Sequence, residues 1–395
     1  MNSAMKLFKS TKGNREKIIF LSAKNPLNKA HWSGIPFFMY HSLERHFEIQ
    51  LIQGLEFKAV RKIGYYISQI CEKTSGKKYA FDYGILLSFL YGVYYSFCLF
   101  RKKQVLFIFC PAGLTEIAFT YTKIPIISVG DCSTLQLLDY YPALKNVLPI
   151  SIKEIQWVEK KALSRVTLQL FSSRWASDFT RKHYRISNVV EVPFGANIAA
   201  ASSIKNVISR KNKIPFQLIF ISVDWYRKGG DIVLEIIESL IKLNRKVHLT
   251  IVGCKPPGNF DSNHVSVIEH LDKNTERGTQ FMERLLSNSH LMLLPTKADC
   301  TPIVIAEAFA YGIPVLANDT GGLSSMIKDD VNGYLFDKFD AQCYVSKILE
   351  ILDNPIMYNR LALATLEASK RTYNWNAWTH AGITAITEVL CRDKC

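Results

Sequence analysis

The sequence predicts an α/β protein with two domains, each built on a parallel sheet that helices cover on both faces. The chain has 395 residues, a length that suits two domains of ordinary size. Short apolar runs alternate with helical patterns in both halves, as repeated strand–helix units require. A polar stretch at 201–213, rich in Ser, Lys and Asn, separates the two series, and we predict a linker near 193–213. We therefore predict two Rossmann-like domains, over 1–198 and 199–374.

The first half contains six predicted strands with helical patterns between them. Each run is short, apolar and rich in β-branched or aromatic residues, which is typical of buried strands. An amphipathic run at 36–47 predicts a helix after the first strand. The strands are predicted at 17–23, 48–53, 104–110, 125–129, 168–172 and 189–192.

The strand–helix pattern begins again after the polar stretch. The predicted strands are FQLIFISV, VHLTIVG, VSVIE, LMLLP and PVLAN. The last segment, YNWNAWTHAGITAITEVL, predicts an amphipathic helix with Trp375 and Trp378 on its buried side. Open parallel sheets bind ligands at the carboxyl ends of their strands. The loops that follow strands are therefore the places where we expect chemistry.

One uncharged segment is long enough to raise the question of a membrane span. The 18 residues from Tyr83 to Phe100 carry no charge, and Arg101, Lys102 and Lys103 follow directly. This length is at the lower limit for a span, and four tyrosine hydroxyls in the segment would need partners in hydrocarbon. We interpret it as a domain helix. The alternative is an interfacial helix with a basic collar.

Positive charge is concentrated in the first half of the chain. The whole chain carries 49 Lys+Arg and 34 Asp+Glu, a net charge of +15. Residues 1–198 hold 27 against 13, whereas residues 199–395 hold 22 against 21. Such asymmetry favours an anionic partner for the first domain. We expect an anionic membrane surface or a phosphate-bearing acceptor, and we do not expect nucleic acid.

Composition and cysteine usage limit the class of protein. Hydrophobic residues make up 48% and charged residues 21% of the chain, which excludes a disordered or low-complexity protein. The nine cysteines include no C-x-x-C pair, so neither a disulfide framework nor a zinc site is predicted. The sequence before the first strand does not predict a signal peptide. We therefore expect a cytoplasmic protein, and peripheral association with the inner face of the membrane is compatible with that location.

The strongest chemical signal is the segment from Leu291 to Gly322. Asp299 lies on the loop after a predicted strand, and Thr301 before Pro302 predicts a helix N-cap. The free amides of the first helical residues, Ile303 and Val304, would then face an anionic group such as phosphate.

A second acidic residue of this segment, Glu307, follows Asp299 by eight positions. On one helix the two would be about 12 Å apart, too far for the separation of about 5 Å in a retaining glycosidase. The two acids therefore fit hydroxyl groups on separate parts of one elongated ligand. The alternative is that Glu307 is a buried helix residue paired with a lysine, and that Asp299 is an ordinary loop residue.

A second signal is FISVDWYRKGG, at 220–230. Its strand, loop and glycines precede a predicted helix, and Arg227 and Lys228 lie between them. Two cations beside a helix N-terminus suit a diphosphate that leaves with negative charge. Taken alone, the pair would more simply be solvated.

The first half has its own candidate loops. After the first strand, the chain reaches Trp32, Ser33 and Gly34, followed by a proline in the first turn of a helix. Gly34 would let the backbone approach a phosphate or sugar closely. The alternative is a tight turn with Trp32 in the core. Asp131 also follows a predicted strand and is a candidate for orienting an acceptor.

Together these segments resemble the retaining glycosyltransferases of family 4. The resemblance rests on Asp299 and Glu307 with the following AYGIPVLANDTGG, and it extends over most of the chain. The other matching segments are HWSGIPFFMYHSLE, FSSRWASDF, VPFGAN, DWYRKGGDI and LDKN. It implies the GT-B fold, in which two Rossmann-like domains with parallel sheets face a cleft. It also implies that the last helix, 375–395, packs back on the first domain.

The resemblance assigns roles to residues of this chain. Asp299 would contact hydroxyls of the donor sugar, Glu307 would contact the ribose of the nucleotide, and Lys228 with Arg227 would bind the diphosphate. Asp131 would lie near the reacting carbon. The donor site would also include Thr301, Ile303, Val304, Gly253, Lys273 and Asn274.

The resemblance further implies hexosyl transfer from a nucleotide-diphosphate sugar to a lipid-linked or glycan acceptor. The leaving diphosphate would assist on the same face of the sugar, so no protein nucleophile is named. The chain departs from the family at Val223, where an arginine is common, and at Asp299, where glutamate is common. Because no D-x-D motif occurs, we expect neither a metal ion nor another cofactor.

Other functions remain open on the sequence alone. A nucleotide-sugar epimerase of the same fold would not need a basic acceptor domain. A non-catalytic protein that binds anions or nucleic acid would leave Asp299 and Glu307 without a role.

Overall fold

The computed structural model describes residues 15–198, 202–210, 213–258 and 260–392. They form two compact units. The first comprises the described residues up to Pro193 and from Thr379 onward, and the second is Phe194–Trp378. The division falls five residues before the one predicted from sequence. Phe194 belongs to the second unit because its ring stacks on Trp375, with centroids 6.2 Å apart.

The first unit is built on a six-stranded parallel sheet in the order β2-β1-β3-β4-β5-β6, which confirms the predicted α/β class. The third strand begins at Ile108, four residues later than predicted, and the backbone at Gln104 leaves the extended region with a left-handed φ of 57°. The strands are β1 (Lys17–Ser22), β2 (Glu48–Gln53), β3 (Ile108–Pro111), β4 (Ile126–Gly130), β5 (Leu168–Phe171) and β6 (Val189–Glu191).

Helices follow most of these strands, and apolar residues on their inner faces pack on the sheet. Tyr91 and Tyr95 of α3, for example, join Ile19 and Leu21 of β1 in one buried cluster. The helices are α1 (Ile35–Leu43), α2 (Lys58–Ser75), α3 (Ile85–Leu99), α4 (Leu114–Ile117), α5 (Pro149–Leu163) and α6 (Arg174–Tyr184).

The uncharged segment at 83–100 is largely the helix α3, as predicted. Tyr91 and Tyr95 are 1% and 0% exposed, so the helix packs into the domain core along one side. Within the described ranges, no helix combines the length and the apolar character that a membrane crossing requires.

The second unit has a six-stranded parallel sheet in the order β12-β11-β10-β7-β8-β9. Five of its strands were predicted, and GYLF at β12 was not. The strands are β7 (Phe216–Ile221), β8 (Val247–Val252), β9 (Val265–Ile268), β10 (Leu291–Leu294), β11 (Val315–Asn318) and β12 (Gly333–Phe336).

Most helices of the second unit follow its strands, and one precedes the sheet. They are α7 (Ile204–Arg210), α8 (Gly230–Lys242), α9 (Glu276–Asn288), α10 (Ile303–Ala310), α11 (Leu323–Met326), α12 (Ala341–Asp353) and α13 (Pro355–Arg371).

The helix α7 corrects the prediction of a linker near 193–213. Arg210 at its end is 1% exposed, and its guanidinium donates to the carbonyls of Tyr311 (3.0 Å) and Gly312 (2.7 Å). It also donates to the Tyr358 hydroxyl at 3.0 Å. Buried charge is tolerated only with such partners, and these partners are far away in sequence, so composition alone indicated a linker.

The last helix, α14 (Trp375–Arg392), begins in the second unit. Trp375 and Trp378 are 8% and 2% exposed, which confirms the predicted buried side. From Thr379 onward its residues group with the first unit, and a side chain at Gly382 would meet Leu170 of β5 at 3.8 Å. Residues 393–395 of the predicted helix lie outside the described residues.

Candidate active site

In the second unit, the strand order places the loops after β7 and β10 side by side. These two strands are neighbours in the sheet, and the chain turns to opposite edges from them. Such a topological switch point is where open α/β sheets bind ligands, at the carboxyl ends of the strands. The loop after β7 carries Arg227 and Lys228, and the loop after β10 carries Asp299. Two predicted motifs therefore meet at one edge.

Lys228 and Asp299 form a buried ion pair at this edge. The Lys228 Nζ donates to Asp299 Oδ2, and the two residues are 8% and 7% exposed. Burial, with a smaller contribution from Arg227, lowers the pKa of Lys228 below that of an ordinary lysine. Contact with the Asp299 carboxylate favours the charged form of the ammonium. Lys228 is therefore a buried cation that contacts the Asp299 carboxylate and feels the charge of Asp224, and an entering anion can engage it.

Arg227 connects the same two loops. Its Nη1 donates to the Ala298 carbonyl at 2.7 Å, and its own carbonyl accepts from the Lys297 amide at 2.8 Å. Its Nε also donates to Asp224 Oδ2 at 3.0 Å. The guanidinium therefore holds the loop of Asp299 in position. Val223, where the resembling family commonly has an arginine, is 86% exposed.

The two glycines after Lys228 are required by close packing. Gly229 has a left-handed φ of 77°, and a Cβ there would lie 2.0 Å from the Pro295 carbonyl oxygen. A Cβ at Gly230 would lie 2.3 Å from the Trp225 ring. Only glycine lets the loop after β7 approach the loop after β10 this closely, and α8 begins directly behind the cation pair.

Glu307 on α10 is fully buried and pairs with Lys273. The Lys273 Nζ donates to Glu307 Oε1 at 3.0 Å and to Oε2 at 2.8 Å. The Lys273 side chain is 37% exposed and that of Glu307 is 1% exposed. The structure therefore shows the alternative stated for Glu307, a buried helix residue that is paired with a lysine. That lysine is itself one of the predicted donor-site residues.

The start of α10 differs from the prediction by one residue. The N-cap is Pro302, with an extended ψ of 112° and no capping side chain, so Thr301 lies outside the helix and is not its N-cap. In the first turn of the helix, the Ile305 amide donates a hydrogen bond to the Pro302 carbonyl at 3.1 Å. The amides of Ile303 and Val304 precede it, as the first amides of a helix do.

Two further predicted donor residues lie on neighbouring loops. Gly253 follows β8 with a left-handed φ of 96°, and a Cβ there would come within 2.6 Å of the Ser222 carbonyl oxygen. Asn274 is exposed, and its side-chain amide donates to Asp272 Oδ1 at 2.8 Å. Gly253 thus brings the loops after β7 and β8 together, whereas the Asn274 side chain stabilises a local turn.

In the first unit, the predicted loop before α1 is strained. Trp32 and Ser33 have φ values of 44° and 55°, and Gly34 follows with a φ of 81°. Two consecutive non-glycine residues in the left-handed region cost about 1–3 kcal/mol each. Such strain persists only where the surrounding structure holds it, and it is often found at ligand-binding loops.

The structure joins this loop to the second predicted residue of the unit. Trp32 Nε1 donates to Asp131 Oδ2 at 3.2 Å, so Trp32 is neither an isolated core residue nor a simple turn residue. Burial raises the pKa of Asp131 above its usual value, although the hydrogen bonds from Trp32 and Cys132 oppose this rise. The carboxylate lies in the loop after β4, at the carboxyl edge of the first sheet.

Glu159 is a residue that sequence reasoning missed. This buried side chain of α5 accepts from the Ser133 hydroxyl (2.8 Å), the Thr134 amide (2.9 Å) and the Tyr184 hydroxyl (2.7 Å). It thereby anchors the loop that carries Asp131. A single acid within an amphipathic helix gives no sequence signal, because its partners lie 25 and 26 positions away.

Asp224 was also missed, although it lies inside a predicted motif. Its Oδ1 accepts from the Arg227 amide at 3.2 Å, and its own amide donates to the Ser222 hydroxyl at 2.9 Å. The spacing Ser-x-Asp directly after a strand is typical of such local turns. This spacing was the sequence signal from which Asp224 could have been recognised.

The second unit and part of the first have recognisable relatives. Residues 203–367 match the family model of glycosyl transferases group 1. Phosphatidyl-myo-inositol mannosyltransferase of Mycobacterium leprae is 24% identical over 221 residues, 56% of this chain and 57% of that protein. D-inositol 3-phosphate glycosyltransferase of a Nocardioides species is 30% identical over 94 residues, 24% of this chain and 20% of that protein. The chain thus spans at most 57% of the length of these two relatives.

Solved structures resemble the chain over nearly its whole length. A sucrose-phosphate synthase from Thermosynechococcus elongatus matches with a TM-score of 0.65 and 12% identity, covering 93% of this chain and 97% of that one. A glycosyltransferase from Rickettsia africae matches with a TM-score of 0.59 and 14% identity, covering 95% and 99%. These likenesses bear on the fold, and they confirm two Rossmann-like domains of the GT-B class.

Proposed function

We propose that this protein is a retaining hexosyltransferase, because residues 203–367 match the family model of the glycosyl transferases group 1 and the chain as a whole resembles family 4. It moves a hexosyl group from a nucleotide-diphosphate sugar to a lipid-linked or glycan acceptor. The observation that carries the proposal is the buried pair of Lys228 and Asp299 at the topological switch point.

The donor diphosphate binds at Lys228. Its entry brings negative charge to a buried cation that contacts Asp299 and lies close enough to the Arg227 guanidinium for that charge to lower the pKa of Lys228. The ammonium then turns to the phosphate, which frees the Asp299 carboxylate to accept from hydroxyls of the donor sugar. The first amides of α10, at Ile303 and Val304, add donors to the same anion.

The nucleoside is held by Glu307. Its carboxylate is 1% exposed beneath the half-exposed Lys273, so a ribose reaches it by sharing or displacing the lysine ammonium. A carboxylate that accepts from two ribose hydroxyls forms strong, charge-assisted hydrogen bonds.

Transfer takes place on one face of the sugar. The bond between the anomeric carbon and the diphosphate oxygen breaks, and the acceptor oxygen bonds to the same carbon. The acceptor proton passes to the departing phosphate oxygen. The protein positions both substrates and neutralises the leaving charge, Asp131 orients the acceptor hydroxyl, and no metal ion or protein nucleophile is required.

The acceptor side is the basic first unit. Its net positive charge suits an acceptor with a phosphate or one embedded in an anionic membrane, and this supports a location in the cytoplasm at the inner face of a membrane. Because one relative is named for mannosyl transfer to phosphatidyl-myo-inositol, mannose donors and inositol-containing lipids are the first substrates to try.

Calorimetry with nucleotide-diphosphate sugars tests the donor assignment. A matching donor should bind, and Lys228→Ala should weaken it at least about tenfold, the loss of one charge-assisted contact. Lys242→Ala, at an exposed lysine of α8, is the matched control and should bind like the parent. The anomeric configuration of the product, read by NMR, decides between retention and inversion.

Three outcomes would contradict the proposal. An inverted product excludes the retaining mechanism. Donor turnover to an isomeric nucleotide sugar without an acceptor indicates an epimerase. No binding of any nucleotide sugar, together with salt-dependent binding of nucleic acid, indicates a non-catalytic protein.

A further inference from the structure

The outward face of α3 is apolar along its whole length. Its inward side is buried in the core, while the opposite side exposes large hydrophobic residues at spacings of 3, 4, 4 and 3 positions, a continuous stripe on a helix. Phe97 and Phe100 are 83% and 81% exposed, and exposed apolar side chains that adjoin one another indicate an interaction surface. The stripe, which we call the α3 face, consists of Leu86, Phe89, Val93, Phe97 and Phe100.

Aromatic residues from neighbouring elements extend the α3 face. Phe89 contacts Phe119 with ring centroids 5.7 Å apart, and Phe119 contacts Trp157 at 5.5 Å. Lys161 Nζ lies over both the Phe119 and Trp157 rings, at 5.1 and 5.3 Å from their centroids. Tyr121 is 72% exposed, and its amide is held by Ser96 of α3. Tryptophan, tyrosine and lysine are the residues that sit at a bilayer interface.

The adjacent helix α2 carries a second exposed stripe. It packs beside α3 through the rings of Phe57 and Tyr91, 5.0 Å apart, and through Arg61, which donates to the Tyr91 hydroxyl at 3.2 Å. Its exposed apolar residues recur at i, i+3, i+4 and i+7, and exposed lysines flank them. The stripe is Ile63, Tyr66, Ile67 and Ile70, and the lysines are Lys58, Lys62 and Lys73.

Positive charge surrounds these apolar stripes. Arg101, Lys102 and Lys103 directly follow the α3 face. The first unit, residues 1–193 and 379–395, carries 29 Lys+Arg and 15 Asp+Glu, a net charge of +14. The second unit, residues 194–378, carries 20 Lys+Arg and 19 Asp+Glu, a net charge of +1. The basic excess thus belongs to the unit that exposes the apolar stripes. A second copy of the chain would bring the same charge to this surface and be repelled, whereas an anionic bilayer is complementary in both charge and polarity.

We propose that the α3 face, with the stripe of α2, is the docking surface through which the protein lies in the interface of an anionic membrane. The helices do not cross the bilayer: Phe97 and Phe100 enter the boundary between headgroups and acyl chains, and the flanking lysines and arginines meet lipid phosphates. This deepens the proposed function, since it names the surface that brings the enzyme to a lipid-linked acceptor.

Sedimentation with vesicles tests the proposal without any substrate. The parent protein should bind vesicles of phosphatidylglycerol and phosphatidylcholine in equal parts, and bind pure phosphatidylcholine far less. The double variant Phe97→Ser with Phe100→Ser should bind the anionic vesicles with an apparent affinity at least about tenfold lower than that of the parent. Arg101→Gln, Lys102→Gln and Lys103→Gln together should weaken binding to the anionic vesicles and reduce its dependence on salt.

Two variants in the second unit serve as matched controls. Phe339→Ser with Ile356→Ser removes two exposed apolar side chains, 49% and 82% exposed. Lys205→Gln, Lys242→Gln and Lys246→Gln removes three exposed charges. Both should bind vesicles like the parent. Equal losses in the test and control variants would overturn the surface assignment, as would a parent that binds neither vesicle.

Sedimentation velocity tests whether a second copy of the chain, and not a membrane, covers the α3 face. If the parent is a dimer that Phe97→Ser with Phe100→Ser dissociates, while vesicle binding stays unchanged, the face binds a second copy and the proposal is wrong. Calorimetry with nucleotide sugars is independent of all these results. A protein that binds vesicles but no nucleotide sugar would leave the docking surface standing and contradict the proposed transferase.

Discussion

Trp32 and Asp131 are joined by a hydrogen bond that links two loops of the first sheet. Trp32 Nε1 donates to Asp131 Oδ2 at 3.2 Å, across 99 positions of sequence. The indole comes from a strained left-handed turn after β1, and the carboxylate from the loop after β4. The hydrogen bond favours the ionised carboxylate, whereas burial disfavours it. This opposition controls the charge of the proposed acceptor-orienting group.

Trp32→Phe should move the acid limb of transfer to higher pH. The change removes the donor that lowers the pKa of Asp131, so the pKa rises further. A hydrogen bond of about 1 kcal/mol corresponds to a little under one pKa unit. We expect the acid limb of kcat/KM to shift upward by about 0.5 to 1 pH unit. Trp157→Phe in the same unit is the control, and an equal shift there would rule out Asp131 as the titrating group.

Asp131→Asn should change how stability depends on pH. Because the folded pKa of Asp131 is raised, its contribution to stability is complete below the unfolded pKa of about 3.9 and is lost as pH rises through the folded value. The asparagine variant cannot lose that contribution. The difference in unfolding free energy between variant and parent should therefore grow in favour of the variant as pH rises, measured by urea unfolding. A constant difference would contradict a raised pKa.

The Lys228–Asp299 pair should show strong coupling in a double-mutant cycle. Both side chains are 10% exposed, so removing either one leaves a buried charge at a cost of about 3 kcal/mol. Lys228→Met with Asp299→Leu should cost less than the sum of the single changes. The exposed pair of Arg245 and Asp353, 34% and 51% exposed, is the control. Its coupling should stay below about 1 kcal/mol, and equal coupling in both pairs would show that the Lys228 pair is effectively solvated.

Glu307 and Lys273 should respond asymmetrically to substitution. Lys273→Met leaves a fully buried carboxylate without its lysine partner and should cost about 2 kcal/mol of stability. Glu307→Gln leaves a lysine that is 37% exposed and reaches water, so it should cost less than about 1 kcal/mol. Glu307→Gln should also weaken nucleotide-sugar binding by about tenfold or more. Thermal unfolding and calorimetry measure the two effects, and a folded Glu307→Gln protein with unchanged donor affinity would remove Glu307 from the site.

Glu159→Gln should disturb the acceptor side alone. The amide cannot accept all the hydrogen bonds from Ser133, Thr134 and Tyr184, so we expect a loss of about 1–3 kcal/mol of stability. The loop of Asp131 should loosen, and kcat should fall while the donor dissociation constant stays unchanged. A change in donor affinity would indicate a general folding defect instead of a local one. The conservative variant Glu159→Asp keeps the charge and should recover part of kcat.

Much of this protein follows from its sequence because the signals are local. Eleven of the twelve strands in the described residues are short apolar runs that the sequence shows directly. Lys228, Asp299 and Asp131 are recognisable because each lies in a loop just after such a run. The fold class was predicted on these grounds and is confirmed, and the resemblance to family 4, which rests on motifs, agrees with the match of residues 203–367 to the glycosyl transferases group 1. The boundaries were less well predicted, since the start of α10 depends on the backbone torsion of Pro302 and not on residue type.

Tertiary structure alone decided how these residues combine. The partners Lys228 and Asp299 are 71 positions apart, and Lys273 and Glu307 are 34 apart, so only the strand order brings them together. The same is true of Arg210, whose burial turns a polar stretch into a helix. The sequence located the positive charge in the first half. Only the exposure of Phe97 and Phe100 showed which surface that charge surrounds, because a helical pattern does not tell which of two apolar sides faces the core.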